Sequence, residues 1–554
     1  MSNTIANTDI FNYLPLDLLK SVTTFTGLPF TATKGFSVKA REIPYMEILE
    51  SLQKEMGQDK CDALINELTV NKMQPFRSVR KLSDEQKLRA ICKNICRQCK
   101  LLTGGVDFLA TKHLDPVFGA SNYAEIEEWI ADENLLRICP RLLDIDDDVD
   151  PWVGIQGDHA QRAQIARKLI ADRKDFYLEI DLSNLGLTQV PPEVFTFQNL
   201  TALKLGNNKL TSFNLPTDAL PNLGTLNLED NLLKTFNIPA NAFPALEELH
   251  LNNNQLTTFD ANIGVFPALS LLDLNNNQLT SFNVAIGAFP ALIQLGVNDN
   301  QLTTFNAAVG TFPSLIELGL GKNQLTTFNA EAGAFPSLTQ LGLNDSQLTA
   351  FNAAAGAFPS LTQLGLIGNQ LTTFNAAAGA FPSLTQLGLV GNQLTTFNAE
   401  AGALPWLTLL GLGENQLTTF NAEAGAFPSL TCLTLDHNRF TTFNASIGVF
   451  PLLTELILVN NQLITFNAPA GAFPALTILA LENNQLKSIN ARPSALPALE
   501  TLTINTDNFP SMNWSLFYQI LKPRVKRIVE CIGAAALAGT CLAVHMIYQR
   551  SNAS

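Results

Sequence analysis

Residues 324–343 read QLTTFNAEAGAFPSLTQLGL, and nearly the same phrase begins again at Gln347 and at Gln370. Aligned on leucine, it recurs every 23 residues, with units opening at Tyr177, Leu200, Leu223, Leu246 and onward to Leu499. Fifteen units keep register without an insertion. The composition agrees: 35 Phe stand against 4 Trp and 6 Tyr, so one aromatic serves a repeated packing position. A chain of 554 residues is too long for one ordinary core, and such a period marks a stack of small units.

In the unit at Leu361, L-x-L makes a short strand that turns Leu364 and Leu366 inward. Asn369 is the next inward residue. A buried amide is costly unless it is hydrogen-bonded, and at every turn of a stack it can satisfy the backbone of neighbouring coils. The column runs Asn208, Asn231, Asn254, Asn277, Asn300, Asn323, Ser346, Asn369, Asn392, Asn415, Asn438, Asn461, Asn484. Only Ser346 departs, which predicts a local weak point. A second column, Asn214, Asn237, Asp260, Asn283 through Asn490, is expected to fix a turn by bonding its own backbone. Phe374 and Phe381 fill the outer half of the coil, Gly379 permits a bend, and Pro382 prevents a long helix. The Ala-rich NAAAGAF leaves room for one helical or 3₁₀ turn. Each copy is the hydrophobic partner of the next.

The template L-x-x-L-x-L-x-x-N-x-L-x-x-F-N-x-x-x-G-x-F-P-x resembles the leucine-rich repeat family, whose hallmark is L-x-x-L-x-L-x-x-N-x-L. The resemblance implies an α/β solenoid with a curved parallel sheet. The near-identical copies further resemble host-directed leucine-rich repeat proteins of intracellular bacteria. Strands roughly 4.8 Å apart would extend the sheet over roughly 70 Å. A surface of that size suits a protein partner and not a small-molecule substrate.

The variable positions of the template then face the partner. Six glycines, Gly296, Gly319, Gly342, Gly365, Gly388 and Gly411, form a bare stripe, with Gln294, Glu317, Gln340, Gln363 and Gln386 beside it. Two readings stay open: a smooth groove for a partner's backbone, or tandem copying of an arbitrary residue. The more varied flanks carry Glu229, Asp230, Glu247, Glu248 and His250 at one end and Asp436, His437 and Arg439 at the other. Net charge is −14, and residues 177–505 hold 21 Asp and Glu against 7 Lys and Arg. That excess disfavours a nucleic-acid partner and favours a basic or neutral protein surface.

Residues 1–150 carry no repeat and read as a helical domain, with apolar residues at helical spacing in IPYMEILESLQKEMG, SDEQKLRAICKNICRQCKLL and NYAEIEEWIADENLLRICPRLL. Ser83 and Gln86 form a capping box. Residues 151–176, with HAQRAQIARKLIADRK, are expected to cap the first coil of the array at 177–508. Cys92, Cys96 and Cys99 share a helix face and read as buried small hydrophobes, with zinc binding through His113 or Cys139 as the competing reading. The run from Asp144 to Asp150 lacks the glycine of a calcium loop and reads as a solvated linker. Leu14, Pro15, Asp17, Leu18 and Leu19 resemble the opening of an F-box, which would imply a ubiquitin-ligase substrate adaptor. Cys61 is followed directly by Asp62, so the C-x-D of bacterial leucine-rich repeat ligases is missing. No Walker loop, dinucleotide glycines or Ser/His/Asp set is present, so no enzyme, cofactor or metal is expected.

Eight scattered cysteines resemble no disulfide framework, and the N-terminus lacks the pattern of a secretory signal. After a cap and basic linker at 509–527, residues 528–548 have the length of a bilayer span and are expected to form a hydrophobic transmembrane helix. Lys522, Arg524, Lys526 and Arg527 precede it, which would leave the array in the cytosol.

Overall fold

The computed structural model describes residues 131–139, 141–142, 159–172, 177–505 except 217–218, 239–241 and 376–378, and 527–530. The motifs at Leu14, Ser83 and Cys92 and the Asp144 run lie outside these residues, as does most of the expected helical domain. The chain divides into two compact units, Met1–Phe243 and Pro244–Ser554.

In the first unit, strands Glu179–Asp181, Ala202–Lys204 and Thr225–Asn227 pair in parallel, with Ile180, Leu203 and Leu226 in register. Two helical segments close the end of this ladder. Helix His159–Ala171 buries Ala163, Ala166 and Ile170. The helical residues 131–139 bury Leu135, Ile138 and Cys139. Polar contacts fix both segments. Arg137 Nη1 donates to the carbonyls of Leu185 and Gly186 at 3.2 and 3.0 Å. The amide of Asn134 exchanges bonds with Thr188, donating to Oγ1 and accepting from N–H, both at 3.2 Å. Arg167 bridges Asp132 at 2.7 Å and Glu193 at 2.9 Å. The expected capping by the second helix is therefore shared with the 131–142 segment.

In the second unit, strands such as Gln340–Gly342, Gln363–Gly365 and Gln386–Gly388 pair in parallel, each shifted by one repeat. The ladder runs from Glu248–His250 to Thr501–Ile504. Leu364 and Leu366 are fully buried, as are their counterparts from Leu249 to Leu458. Each such side chain contributes about 1.5–3 kcal/mol when removed from water, and only adjacent coils supply the contacts.

The inward asparagine is hydrogen-bonded on every side. Asn392 Nδ2 donates to Leu366 O of the preceding coil at 2.8 Å and to Leu389 O of its own at 3.0 Å, while Oδ1 accepts Leu371 N–H at 3.0 Å. Ser346 reproduces little of this. Its hydroxyl donates to Leu320 O at 3.5 Å and accepts Asn323 N–H at 3.4 Å. Two columns of phenylalanine stack along the other half of each coil, as in Phe328–Phe351 at 5.7 Å and Phe335–Phe358 at 5.5 Å.

Two expectations are corrected and one is extended. Several T-F-N-A segments form short parallel strands, such as Thr327–Ala330 with Ala350–Ala353, and the expected single turn follows them, as where Ala357 N–H donates to Ala354 O at 3.0 Å. Thr327 and Asn329 point to solvent while Phe328 and Ala330 point inward. The second asparagine column accordingly bonds between coils and not to its own backbone: Asn352 Nδ2 donates to Asn329 Oδ1 at 2.9 Å and Asn490 to Asn467 at 2.8 Å. The bend follows at Gly379, whose φ is 78°, as the glycine position predicts. Finally, no helix begins at Ile528. Residues Arg527–Glu530 form a strand paired with Thr501–Ile504, and the β-branched residues Ile528 and Val529 favour that conformation. Among the described residues no helix is long and apolar enough to cross a membrane; residues 531–548 lie outside them.

Candidate partner-binding face

Each main strand turns one leucine inward and its two neighbours outward, so the outward residues line up in columns down the ladder. One column reads Glu248, Leu271, Gln294, Glu317, Gln340, Gln363, Gln386. The next reads His250, Asp273, Gly296, Gly319, Gly342, Gly365, Gly388. Parallel register therefore brings the predicted glutamines together. Gln294 Nε2 donates to Glu317 Oε2 at 2.8 Å. Gln340, Gln363 and Gln386 are half-buried neighbours. Glu247 and Glu248 are exposed, and His250 Nε2 lies 3.8 Å from Glu248 Oε2. Glu229 and Asp230 belong to the first unit, where the Glu229 N–H donates to Asn227 Oδ1 at 3.0 Å and Asp230 is exposed.

The glycine stripe is not bare. Gly342, Gly365 and Gly388 are buried. At Gly296 the cover is Asn275: a Cβ there would stand 2.6 Å from its Nδ2. Asn275 is itself held, because its Oδ1 accepts the N–H of Asn298 at 2.7 Å and its Nδ2 at 3.0 Å. Asn298 Oδ1 accepts Gly321 N–H at 2.7 Å, which continues this outer row.

Two further columns escaped the sequence reading. Threonine hydroxyls tie successive coils at the strand entrance, with Thr362 donating to Thr339 O at 3.0 Å and Thr385 to Thr362 O at 2.9 Å. After the strand, each coil passes through a left-handed corner at Asn276, Asp299, Lys322, Asp345, Gly368, Gly391, Glu414 and His437, with φ between 51° and 69°. Gly368 and Gly391 were the available signal, since that conformation favours glycine. The corner presents charged side chains beside the face. His437 is linked to Asp436 Oδ2 at 3.0 Å through Nδ1 and to Asn460 Nδ2 at 2.8 Å through Nε2.

Farther along, Cys432 Sγ lies 3.9 Å from Glu455 Oε2. Burial first, and then the Glu455 carboxylate, push its thiol up to about 12, so it is no nucleophile at neutral pH. Cys139 is buried, and among the described residues no cluster of His, Cys, Asp or Glu could hold a metal.

These features define a protein of stacked parallel coils with one side of its strand ladder lined by variable polar residues. The leucine rich repeat family model matches residues 382–440. The flanking coils keep the same 23-residue register, as in Leu364↔Leu387 and Leu341↔Leu364, and the array is built of leucine-rich repeats. Among solved structures, a leucine-rich repeat protein of Leptospira interrogans is similar at 27% identity, covering 65% of this chain and 97% of that one, with a TM-score of 0.49. YopM from Yersinia enterocolitica is similar at 24% identity, covering 68% and 74%, with a TM-score of 0.48. The YopM effector of Yersinia pestis is similar at 21% identity, covering 68% and 99%, with a TM-score of 0.44. No curated protein matches the chain.

Proposed function

We propose that this chain is a non-catalytic scaffold that binds a protein partner on the outward face of the strand ladder. The observation that carries the reading is where the repeats differ. Inward positions are leucine or asparagine in coil after coil, whereas one outward column passes from His250 and Asp273 through the glycines to Thr434 and Ile457. Packing fixes the first set and leaves the second free to serve recognition. The face and its left-handed corner carry Glu247, Glu248, Asp273, Glu317, Asp436 and Glu455 beside few cations, of which Lys322 is one. The matching partner surface is basic, because charge complementarity raises association rates and rejects acidic competitors.

The test is capture of binding proteins by the full-length chain and by two variants. Reversing Glu247 and Glu248 to lysine should lose the captured set, and Gln363→Ala should retain it. Equal losses, or none from the acid pair, would remove the proposal.

We further propose, from sequence alone, that the uncharged stretch beginning at Cys531 attaches the chain to a membrane with the array on the cytosolic side. With Arg527–Glu530 in the ladder, residues 531–548 fall just short of the about 20 needed to span a bilayer. Full-length protein should partition with membranes while a 1–530 truncation stays in the aqueous fraction; equal partitioning would dismiss the anchor.

A further inference from the structure

The coil around Leu407 departs from its near-identical copies at outward positions. The coil before it reads AFPSLTQLGL over residues 380–389, and this one reads ALPWLTLLGL over residues 403–412. Leu404, in place of the equivalent of Phe381, stays buried. The other two changes face outward. Trp406 stands where the preceding coil has Ser383 and is 63% exposed. Leu409 stands where it has Gln386 and is half-buried. Register then places Cys432 beside Leu409 and Glu455 beside Cys432. Two coils past Trp406, the equivalent position holds Leu452, which is 52% exposed.

These exchanges give up bonds within the array. At the position of Trp406 other coils carry serine, whose hydroxyl ties each coil to the one before. Ser360 donates to Pro336 O at 3.0 Å, Ser383 to Pro359 O at 2.8 Å and Ser429 to Pro405 O at 2.9 Å. Trp406 and Leu452 have no hydroxyl to offer, and each leaves a large apolar side chain largely in water. Single apolar residues on a surface are ordinary, but these fall together on an otherwise polar face. Gln340, Gln363 and Gln386 lead up to Leu409, and Glu455 follows Cys432. The surrounding charge is one-sided: residues 384–475 hold Glu400, Glu414, Glu423, Asp436 and Glu455 against Arg439 alone.

We propose that Trp406, Leu409 and Leu452 anchor the protein partner through a segment that sets an apolar side chain beside arginine or lysine. The inference rests on the partner reading and adds where that contact is centred. Interfaces draw most of their affinity from a few anchors inside a polar rim, with tryptophan prominent among them. An exposed indole accepts a cation on its face as well as an apolar chain against it. The acidic surroundings favour a basic segment and reject an acidic one. Glu455, whose Oε2 lies 3.9 Å from Cys432 Sγ, stands at the edge of the patch as the partner for a flanking arginine.

The test uses the full-length protein and fluorescein-labelled peptides in anisotropy titrations. A peptide with paired leucines between paired arginines should bind one saturable site. Replacing its leucines by serine, or its arginines by glutamate, should weaken it about fivefold or more. Trp406→Ser combined with Leu409→Gln restores the residues of the preceding coil, so it should fold with an unchanged circular dichroism spectrum and a melting temperature no lower than the wild type. It should weaken the arginine–leucine peptide about tenfold or more. Glu455→Gln should weaken it about two- to fivefold. Absence of saturable binding, or binding unaffected by the double variant, would overturn the anchor. A glutamate peptide that binds as tightly would overturn the preference for a basic segment. Phosphatidylserine vesicles bound through Trp406 in place of the peptide would assign the patch to a membrane and overturn it too. If the double variant still captures the proteins that reversal of Glu247 and Glu248 loses, the partner reading stands and this anchor falls.

Discussion

Asn369 Oδ1 accepts the N–H of Leu348, one coil earlier, at 3.0 Å, while its Nδ2 donates to Leu343 O at 2.9 Å. One side chain thus closes two backbone groups of a neighbour that has no other means of burying them. Where Ser346 stands, the corresponding Leu325 N–H receives no side-chain bond among the described residues. Ser346→Asn should therefore stabilise the array by about 1–2 kcal/mol. Asn369→Ala should destabilise it by about 2–4 kcal/mol, since each buried group left unpaired costs about 1–3 kcal/mol. Chemical denaturation of both variants checks the pair, and opposite shifts of the midpoint are expected.

Gly296→Ala tests whether the glycine stripe is required or merely copied. The added methyl would meet Asn275 at 2.6 Å, and Asn275 can withdraw only by releasing Asn298. A loss of about 1 kcal/mol is expected, with faster amide exchange at Asn298. An unchanged exchange rate would mean that copying alone explains this glycine.

At the first coil, Arg167→Ala should loosen the cap. It strands Asp132, whose side chain is only 5% exposed, and removes the tie to Glu193. Arg167 itself is 42% exposed, so solvent weakens the bridge and about 1–2 kcal/mol is the expected cost. Amide exchange across Glu179–Lys204 should quicken, while exchange beyond Leu361 should hold.

Cys432 should resist iodoacetamide at pH 8 in the native protein and react once the chain is unfolded. Its thiol, ordinarily near 9.0, is raised to about 12. A raised value means that the folded state favours the protonated thiol. The associated stability is complete below about pH 9 and is lost as pH rises toward about 12. Mass spectrometry of the peptide containing Cys432 reports the labelling directly.

Whatever the packing repeats was legible in the sequence. Leu364, Leu366 and Asn369 were assigned inward from spacing, and Ser346 was marked as weak because it breaks the column. The alternation of Thr327, Phe328, Asn329 and Ala330 outward and inward marks a strand, while alanine and glycine nearby point only to the turn that follows it. The left-handed corner was hidden because Asn276, Asp299, Lys322 and Glu414 share no side-chain chemistry, only a backbone angle. On the candidate face, spacing brought Gln294 and Glu317 together correctly. It could not show Asn275 leaning over Gly296, because that depends on side-chain direction between coils.

The interlocking of Asn392 with the coil before it, and of Asn415 with Asn392's own coil, repeats without reference to position in the chain. Internal units that carry the asparagine can therefore be duplicated or deleted with these donors and acceptors still matched. Array length is thus open to change by recombination between the near-identical stretches, and the coil of Ser346 is where a join leaves Leu325 N–H unmet.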